Sequence, residues 1–84
     1  MISGRVQGVG FRYYCVQMAR QYGVRGWVRN SADGCVEVMA EGEDASLESF
    51  VCRCRHGPPS AKVLACRESY AKPTGTFDAF EVAF

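Results

Sequence analysis

The sequence lacks a strong net charge, a long apolar run and a second histidine, and each absence narrows what the protein can be. Ten Lys and Arg stand against nine Asp and Glu, so a formal net charge of +1 offers little attraction for nucleic acid or an acidic membrane. Apolar stretches are only a few residues long, and no basic-then-apolar signal segment precedes Gly4. We therefore expect a cytoplasmic protein that binds neither nucleic acid nor membrane.

Length and composition predict one small globular domain. With 48% apolar and 23% charged residues, the 84-residue chain has the balance of an ordinary folded protein. It is too short for separate catalytic and binding domains, and it contains no repeat or linker. We expect residues 1–84 to form a single domain.

The cysteines give no indication of disulfides or of a metal site. Five cysteines cannot all pair with one another, so we expect reduced thiols. Cys52 and Cys54 lie two positions apart in a helical pattern and therefore point in different directions. Cys52 and His56 share a helix face, but no third ligand is spaced to join them. We expect no bound metal.

Two segments have the apolar periodicity of amphipathic helices. The first begins at Phe11, and Gly23 is its expected stop. Its apolar positions are Phe11, Tyr14, Cys15, Met18, Ala19 and Tyr22. The second helix should end at Gly57, before two prolines. Its apolar positions are Leu47, Phe50, Val51 and Cys54.

Between the helices, two alternating segments predict a hairpin with a definite register. A sheet buried on one face needs like residues opposite each other, so the loop must contain an odd number of residues. The three-residue loop 32–34 meets this condition, with Gly34 as the left-handed residue of a type I turn and G1 bulge. The predicted pairs are Val28 with Val38, Arg29 with Glu37, and Arg25 with Glu41, the charged ones on the solvent face.

The remaining segments complete the predicted topology. Residues 2–6 read as a short first strand, and residues 61–70 as a strand with a bulge at Val63-Leu64. A turn at 72–75 precedes a short closing strand over 80–84. This order predicts an α+β ferredoxin-like split β-α-β sandwich, βαββαβ plus a short last strand, with two helices on one face of an antiparallel sheet.

The glycine-rich segment at residues 4–12, Gly-Arg-Val-Gln-Gly-Val-Gly-Phe-Arg, connects the first strand to the first helix. Small residues and a helix N-terminus let backbone N–H groups approach an anion, and Arg12 adds a planar cation suited to phosphate. The known phosphate loops do not fit, because Tyr13 stands where a final glycine is needed and no Gly-Lys-Ser/Thr follows. Taken alone, the segment is equally consistent with a tight turn beside a solvated Arg12.

No nucleophile motif accompanies this segment. Cys15 lies on an apolar helix face, and the sequence contains no Gly-x-Ser-x-Gly. His56 precedes Gly57, where it is placed to cap the helix end. Asn30, at the end of its strand, is either a turn-forming residue or a neutral amide that orients a water molecule.

Taken together, these residues resemble the acylphosphatase family. The resemblance rests on residues 4–12, 23–30, 33–38, 57–63 and the end of the chain, and so covers essentially the whole sequence. It implies hydrolysis of acyl phosphates to carboxylate and phosphate, without metal or organic cofactor. By resemblance, Arg12 binds the phosphate and Asn30 positions the attacking water. The loop whose amides would hold the phosphate is Gln7, Gly8, Val9, Gly10 and Phe11.

Two other functions compete with this hypothesis. The same fold and loop also occur as a module of larger carbamoyl-transfer maturation proteins, so a non-catalytic phosphate- or effector-binding module is an alternative. An RNA-binding domain of this fold would use Trp27 with its flanking arginines, but Glu37 and Glu41 offset that charge. We expect a monomer acting on a small-molecule acyl phosphate. Because only Met1 and Ile2 precede Ser3, its first strand should be shorter than the family usually has.

Overall fold

The helices and strands alternate along the chain much as the sequence predicts. In a computed structural model that describes residues 1–70, 72 and 74–83, the order is β1 (Ile2–Arg5), α1 (Phe11–Tyr22), β2 (Arg25–Asn30), β3 (Val36–Glu41), α2 (Asp44–His56), β4 (Lys62–Cys66) and β5 (Phe80–Val82). As expected, β1 is short, with four residues. Among the described residues, no helix is both long enough and apolar enough to cross a membrane.

Both helices end at the predicted glycines. Gly23 takes a left-handed conformation after α1, with φ 71°, and its N–H donates to the Ala19 carbonyl. Gly57 follows α2, and its N–H donates to the Arg53 carbonyl at 2.9 Å. Apart from Tyr14, the predicted apolar positions lie in the core or pack against it, and Val16, which the periodicity left out, is buried with them. The helix predictions are confirmed.

The five strands form one sheet in the order β4-β1-β3-β2-β5. The first four pair antiparallel, as expected, whereas β5 pairs in parallel with β2 and makes the sheet mixed. The alternation of Phe80 and Val82 shows which side chains face the core but carries no information about strand direction. With two helices packed on this open sheet, the architecture is the expected ferredoxin-like α+β fold.

The register of the β2–β3 hairpin agrees with the prediction at every predicted pair. Val28 lies opposite Val38, and Gly34 closes the three-residue loop with φ 91°. On the outer face, Arg29 Nε donates to Glu37 Oε1 at 2.7 Å. Glu41 departs from the expected solvent-facing position: although it lies opposite Arg25, it is only 7% exposed. The N–H and the hydroxyl of Thr74 donate hydrogen bonds to its carboxylate.

Strand β4 is shorter than the predicted 61–70. It pairs only with β1, and residues 67–70 extend beyond that partner and form no strand. The expected bulge is present, because Ser3 lies opposite Ala65 and Gly4 opposite Val63, leaving Leu64 as the extra residue. Two predictions fall partly outside the described residues: the turn at 72–75 includes Pro73, and the closing strand includes Phe84.

The core lies between the helices and the inner face of the sheet. Phe50 of α2 meets Phe80 of β5 edge-on, with ring centroids 5.5 Å apart. Cys15 and Cys54 join the two helices, with Sγ atoms 3.9 Å apart, and all five cysteines are free thiols. The contact with Cys15, together with burial, raises the pKa of the Cys54 thiol, so Cys54 is neutral in the core.

Candidate active site

A pocket of about 320 Å³ opens where β1 leads into α1. It brings together the two residues to which the resemblance assigns chemistry, Arg12 from the first turn of α1 and Asn30 from the last position of β2. Its lining is completed by Val6, Gly8, Gly10, Phe11, Tyr13 and Val82. Residues that are distant in sequence therefore come together where β1 and β2 end.

The loop that forms the floor of the pocket has unpaired backbone donors. Gly8 and Gly10 adopt left-handed conformations, with φ 73° and 79°, which residues bearing a β-carbon rarely take. Tyr14 is the first residue of α1 whose N–H meets a carbonyl, that of Gly10 at 3.0 Å. Within the described part of the chain, the N–H groups of residues 7–13 donate to no protein acceptor. Such a row of free amides at a helix N-terminus is suited to binding an anion.

Arg12 supplies the positive charge of the pocket. Its guanidinium makes no hydrogen bond or ion pair with any described residue, so its donors remain available to a ligand. A guanidinium can donate two parallel hydrogen bonds to a phosphate, which fixes the orientation of the ligand as well as its charge. Arg12 and the residues Gly8, Gly10 and Phe11, whose amides are unpaired, thus line the same cavity, and both kinds of donor suit an oxyanion.

Asn30 also lines this cavity and has an unused hydrogen-bond acceptor. Its side-chain oxygen Oδ1 is buried and has no hydrogen-bond partner. An unpaired buried carbonyl is costly, and native structures rarely leave one without a reason. The unpaired Oδ1 is available to accept a hydrogen bond from a water molecule, and Asn30 lines the pocket that the loop forms. The unpaired Oδ1 favours the hypothesis that Asn30 orients a water molecule over the hypothesis that Asn30 only forms a turn.

Two of the predicted loop residues do not line the pocket. The side chain of Gln7 turns away and donates to the carbonyls of Ser31 at 2.8 Å and Cys35 at 2.9 Å. Val9 packs against the core. For these residues only the backbone amides remain as possible ligands. Phe11 is buried, 1% exposed, and fixes the start of α1 in the core.

The pocket also contains residues that sequence reasoning did not find. Tyr13 is exposed and follows Arg12 directly in the first turn of α1. This position next to Arg12 was a sequence signal that Tyr13 lies at the pocket. Val82 reaches the pocket because β5 pairs in parallel with β2, with Val82 opposite Val28. No sequence pattern predicted that pairing.

The lining offers no carboxylate, imidazole, amine or thiol as a general base. Among the described residues, Arg12 is the one charged residue of the lining, which contains no Asp, Glu, His, Lys or Cys. Across the described residues, no three His, Cys, Asp or Glu side chains are grouped so as to hold a metal ion. The chemistry available here is oxyanion binding and water orientation.

Comparison with known proteins agrees with this geometry. A family model described as acylphosphatase matches residues 1–82. The chain belongs to the acylphosphatase family. Its members are hydrolases that act on acyl phosphates, and this chain has that activity.

Individual relatives match over nearly the full chain. An acylphosphatase from Anaeromyxobacter sp. (strain Fw109-5) is 50% identical over 82 residues, covering 98% of this chain and 88% of that protein. One from Synechococcus sp. (strain CC9605) is 48% identical over 84 residues, covering all of both chains. The crystal structure of acylphosphatase from Bacillus subtilis superposes with a TM-score of 0.95 at 37% identity, covering 99% of this chain and 92% of that one. These relatives favour the hydrolase over the non-catalytic module.

Proposed function

We propose that the pocket hydrolyses acyl phosphates by direct attack of a water molecule on phosphorus. The row of free amides at residues 7–13, in a loop that ends beside the unpaired side chain of Arg12, is the observation that carries this proposal. The phosphoryl group lies in the loop, with its oxygens on the amides of Gln7, Gly8, Val9, Gly10 and Phe11. The guanidinium of Arg12 binds the same group with two donors.

Asn30 holds the nucleophile. The attacking water donates one hydrogen bond to Oδ1 of Asn30, which leaves an oxygen lone pair directed at phosphorus. The new P–O bond forms as the bond from phosphorus to the acyl oxygen breaks, and the carboxylate leaves with the electron pair. One proton of the water passes to a phosphate oxygen, so the products are carboxylate and inorganic phosphate.

This chemistry needs little from a protein acid or base. A carboxylate is a good leaving group, and phosphoryl transfer depends mainly on positioning and on stabilising charge at the phosphoryl oxygens. A pocket whose one charged side chain is an arginine fits that requirement. The reaction proceeds without metal or organic cofactor.

We further propose that one chain suffices for this reaction, with residues 1–84 acting as a single domain and as a monomer in the cytoplasm. Residues of a single chain line the pocket, including both Arg12 and Asn30. Free thiols, two of them buried at the helix–helix contact, suit a reducing compartment. Neither nucleic acid nor membrane takes part, and the partner is the small-molecule substrate.

Isotope labelling tests the proposed route. Benzoyl phosphate is hydrolysed by the protein in water enriched in ¹⁸O, and both products are analysed by mass spectrometry, with protein-free hydrolysis as the reference. Attack on phosphorus places the label in phosphate, whereas label in benzoate would show attack on the carbonyl carbon and contradict the proposal. Intact-mass analysis of the quenched protein should show no added phosphoryl group, because a phosphorylated protein would mean that a side chain attacks first.

A further inference from the structure

Gln7 connects the phosphate loop to the strand end that carries Asn30. Its Nε2 has two hydrogens, and both are used, on the carbonyls of Ser31 and Cys35. These two residues close the β2–β3 loop, since the Ser31 N–H donates to the Cys35 carbonyl at 2.8 Å. Ser31 follows Asn30 directly. One amide group therefore binds both ends of the turn beside Asn30.

Strand pairing holds these two parts of the site together only weakly. Strands β1 and β3 pair at a single register position, Ile2 opposite Val36, whereas β1 and β4 pair at four. The β1–β3 ladder is therefore too short to fix the loop after β1 against the hairpin. The two hydrogen bonds from Gln7 lie where further ladder bonds would be needed.

Asn30 depends on this backbone for its position. Its side chain makes no hydrogen bond with a described residue, and Oδ1 is without a partner. No side-chain hydrogen bond therefore sets where Oδ1 points, and its position depends on the backbone at residues 30 and 31. Gln7 holds that backbone through the Ser31 carbonyl.

From these contacts we infer that Gln7 is a positioning residue, which aligns Asn30 and its water with phosphate bound in the loop. This role rests on the proposed function of the pocket. The Gln7 side chain touches neither substrate nor water, so its loss acts on alignment. Alignment matters more in the transition state than in the bound ground state. Removal of its side-chain amide should lower kcat and leave phosphate binding nearly intact.

The Gln7→Leu variant tests this role, because leucine fills similar space without donors. Both carbonyls keep one backbone donor, from Gly34 and Ser31, so no acceptor is stranded and the variant should fold. We expect kcat for benzoyl phosphate to fall about tenfold or more, on the scale of a misplaced reacting group. The inhibition constant of inorganic phosphate should change by less than about twofold. The control is Gln17→Leu, an exposed glutamine of α1.

A double-mutant cycle shows whether Gln7 acts through Asn30. In an Asn30→Ala background no amide remains to be aligned, so adding Gln7→Leu should change kcat by no more than about twofold. An equal loss in both backgrounds would mean that Gln7 acts independently of Asn30. A loss of phosphate affinity that matches the loss of kcat would mean that Gln7 stabilises only the phosphate loop and does not position Asn30. Either result overturns the inference.

A second variant keeps the test valid if Gln7→Leu is poorly folded. In Gln7→Glu, an ionised carboxylate repels both carbonyls, whereas the protonated acid can donate one hydrogen bond. We expect the kcat of Gln7→Glu, relative to wild type at each pH, to rise as pH falls toward 5, and a ratio independent of pH would contradict the positioning role.

Retention of full kcat by both variants beside an active wild type would overturn this inference and leave the proposed function standing. Label appearing in benzoate from the wild type would instead count against the proposed function.

Discussion

The ring of Phe11 lies so close to Gly57 that a β-carbon at position 57 would approach its Cε2 atom to 2.9 Å. Phe11 is the first residue of α1 and the last of the phosphate loop, while Gly57 follows the end of α2. The contact thus joins the end of one helix to the start of the other. The loop is held against the core at this point.

Gly57→Ala should therefore destabilise the fold and weaken the site. Gly57 has φ 72° and ψ 175°, a region that only glycine populates readily, and the added methyl group also meets the ring. Gly23→Ala is the control for a left-handed glycine without this contact, since Gly23 has φ 71° and ψ 30° and a β-carbon added there would meet nothing within 4 Å. The αL strain at Gly23 costs about 1–2 kcal/mol. Urea unfolding should show a larger loss for Gly57→Ala than for Gly23→Ala, and equal losses would contradict the packing argument.

The charge and shape of Arg12 lead to a second prediction. Arg12→Lys retains the charge but loses the fork of parallel donors, so both phosphate binding and turnover should fall, turnover by about 10²-fold or more. Arg20→Lys, in the last turn of the same helix, serves as the control. The measurements are kcat/KM and the inhibition constant of phosphate. Equal activity in Arg12→Lys would show that a point charge is sufficient.

The fold was largely predictable because its signals are local. The odd number of residues required in the β2–β3 loop, together with Gly34 as its left-handed residue, predicted that Val28 lies opposite Val38, and both helix ends follow from Gly23 and Gly57. The parallel pairing of β5 was not predictable, because alternation along Phe80 and Val82 fits either direction. The position of Val82 in the pocket could not be predicted for the same reason.

The site was predictable only in part from the residues themselves. The residues alone indicated Arg12 and Asn30 as candidates and left the glycine-rich turn open between anion binding and a plain tight turn, and the family resemblance then assigned their roles. That both line one pocket depends on tertiary packing. The contacts of Gln7 with the Ser31 and Cys35 carbonyls follow no sequence pattern, because its partners are backbone atoms of a distant turn.

Removal of metal ions should leave activity unchanged. The described residues provide no group of three metal-ligating side chains, and the pocket supplies a cation through Arg12. Hydrolysis of benzoyl phosphate should proceed at the same rate after dialysis against a chelator. Magnesium or zinc added afterwards should have no effect. Inhibition by the chelator that a divalent ion reverses would show that a metal takes part.

Stability at acid pH should depend on Glu41. Its carboxylate accepts hydrogen bonds from Thr74 N and Oγ1 at 2.6 and 2.8 Å and from Gly75 N at 3.2 Å. The bonds from Thr74, followed by the one from Gly75, lower the pKa of Glu41 below its usual 4.5. Because the folded pKa is the lower one, this stabilisation is complete above pH 4.5 and is lost as pH falls through the folded value.

Glu41→Gln should accordingly be less stable than wild type at neutral pH, and the difference should narrow as the pH falls below 4.5. Thermal melting at a series of pH values measures this difference. Glu48→Gln, an exposed carboxylate on α2, is the control and should show no such narrowing. A difference in melting temperature between wild type and Glu41→Gln that stays constant with pH would mean that the ionised form of Glu41 is not what stabilises the fold.

Asn30→Ala separates binding from chemistry. The loop amides and Arg12 act on bound phosphate as well as on the transition state, whereas an amide that orients water acts mainly on the transition state. The turnover number should fall by about 10²-fold or more, while the inhibition constant of inorganic phosphate changes little. Asn30 lies opposite Val36 at the strand end, so thermal melting must first show that the variant is folded. Near-normal turnover in a folded Asn30→Ala would mean that another group places the water. A loss of phosphate binding with turnover intact at saturation would make Asn30 a ligand of the substrate.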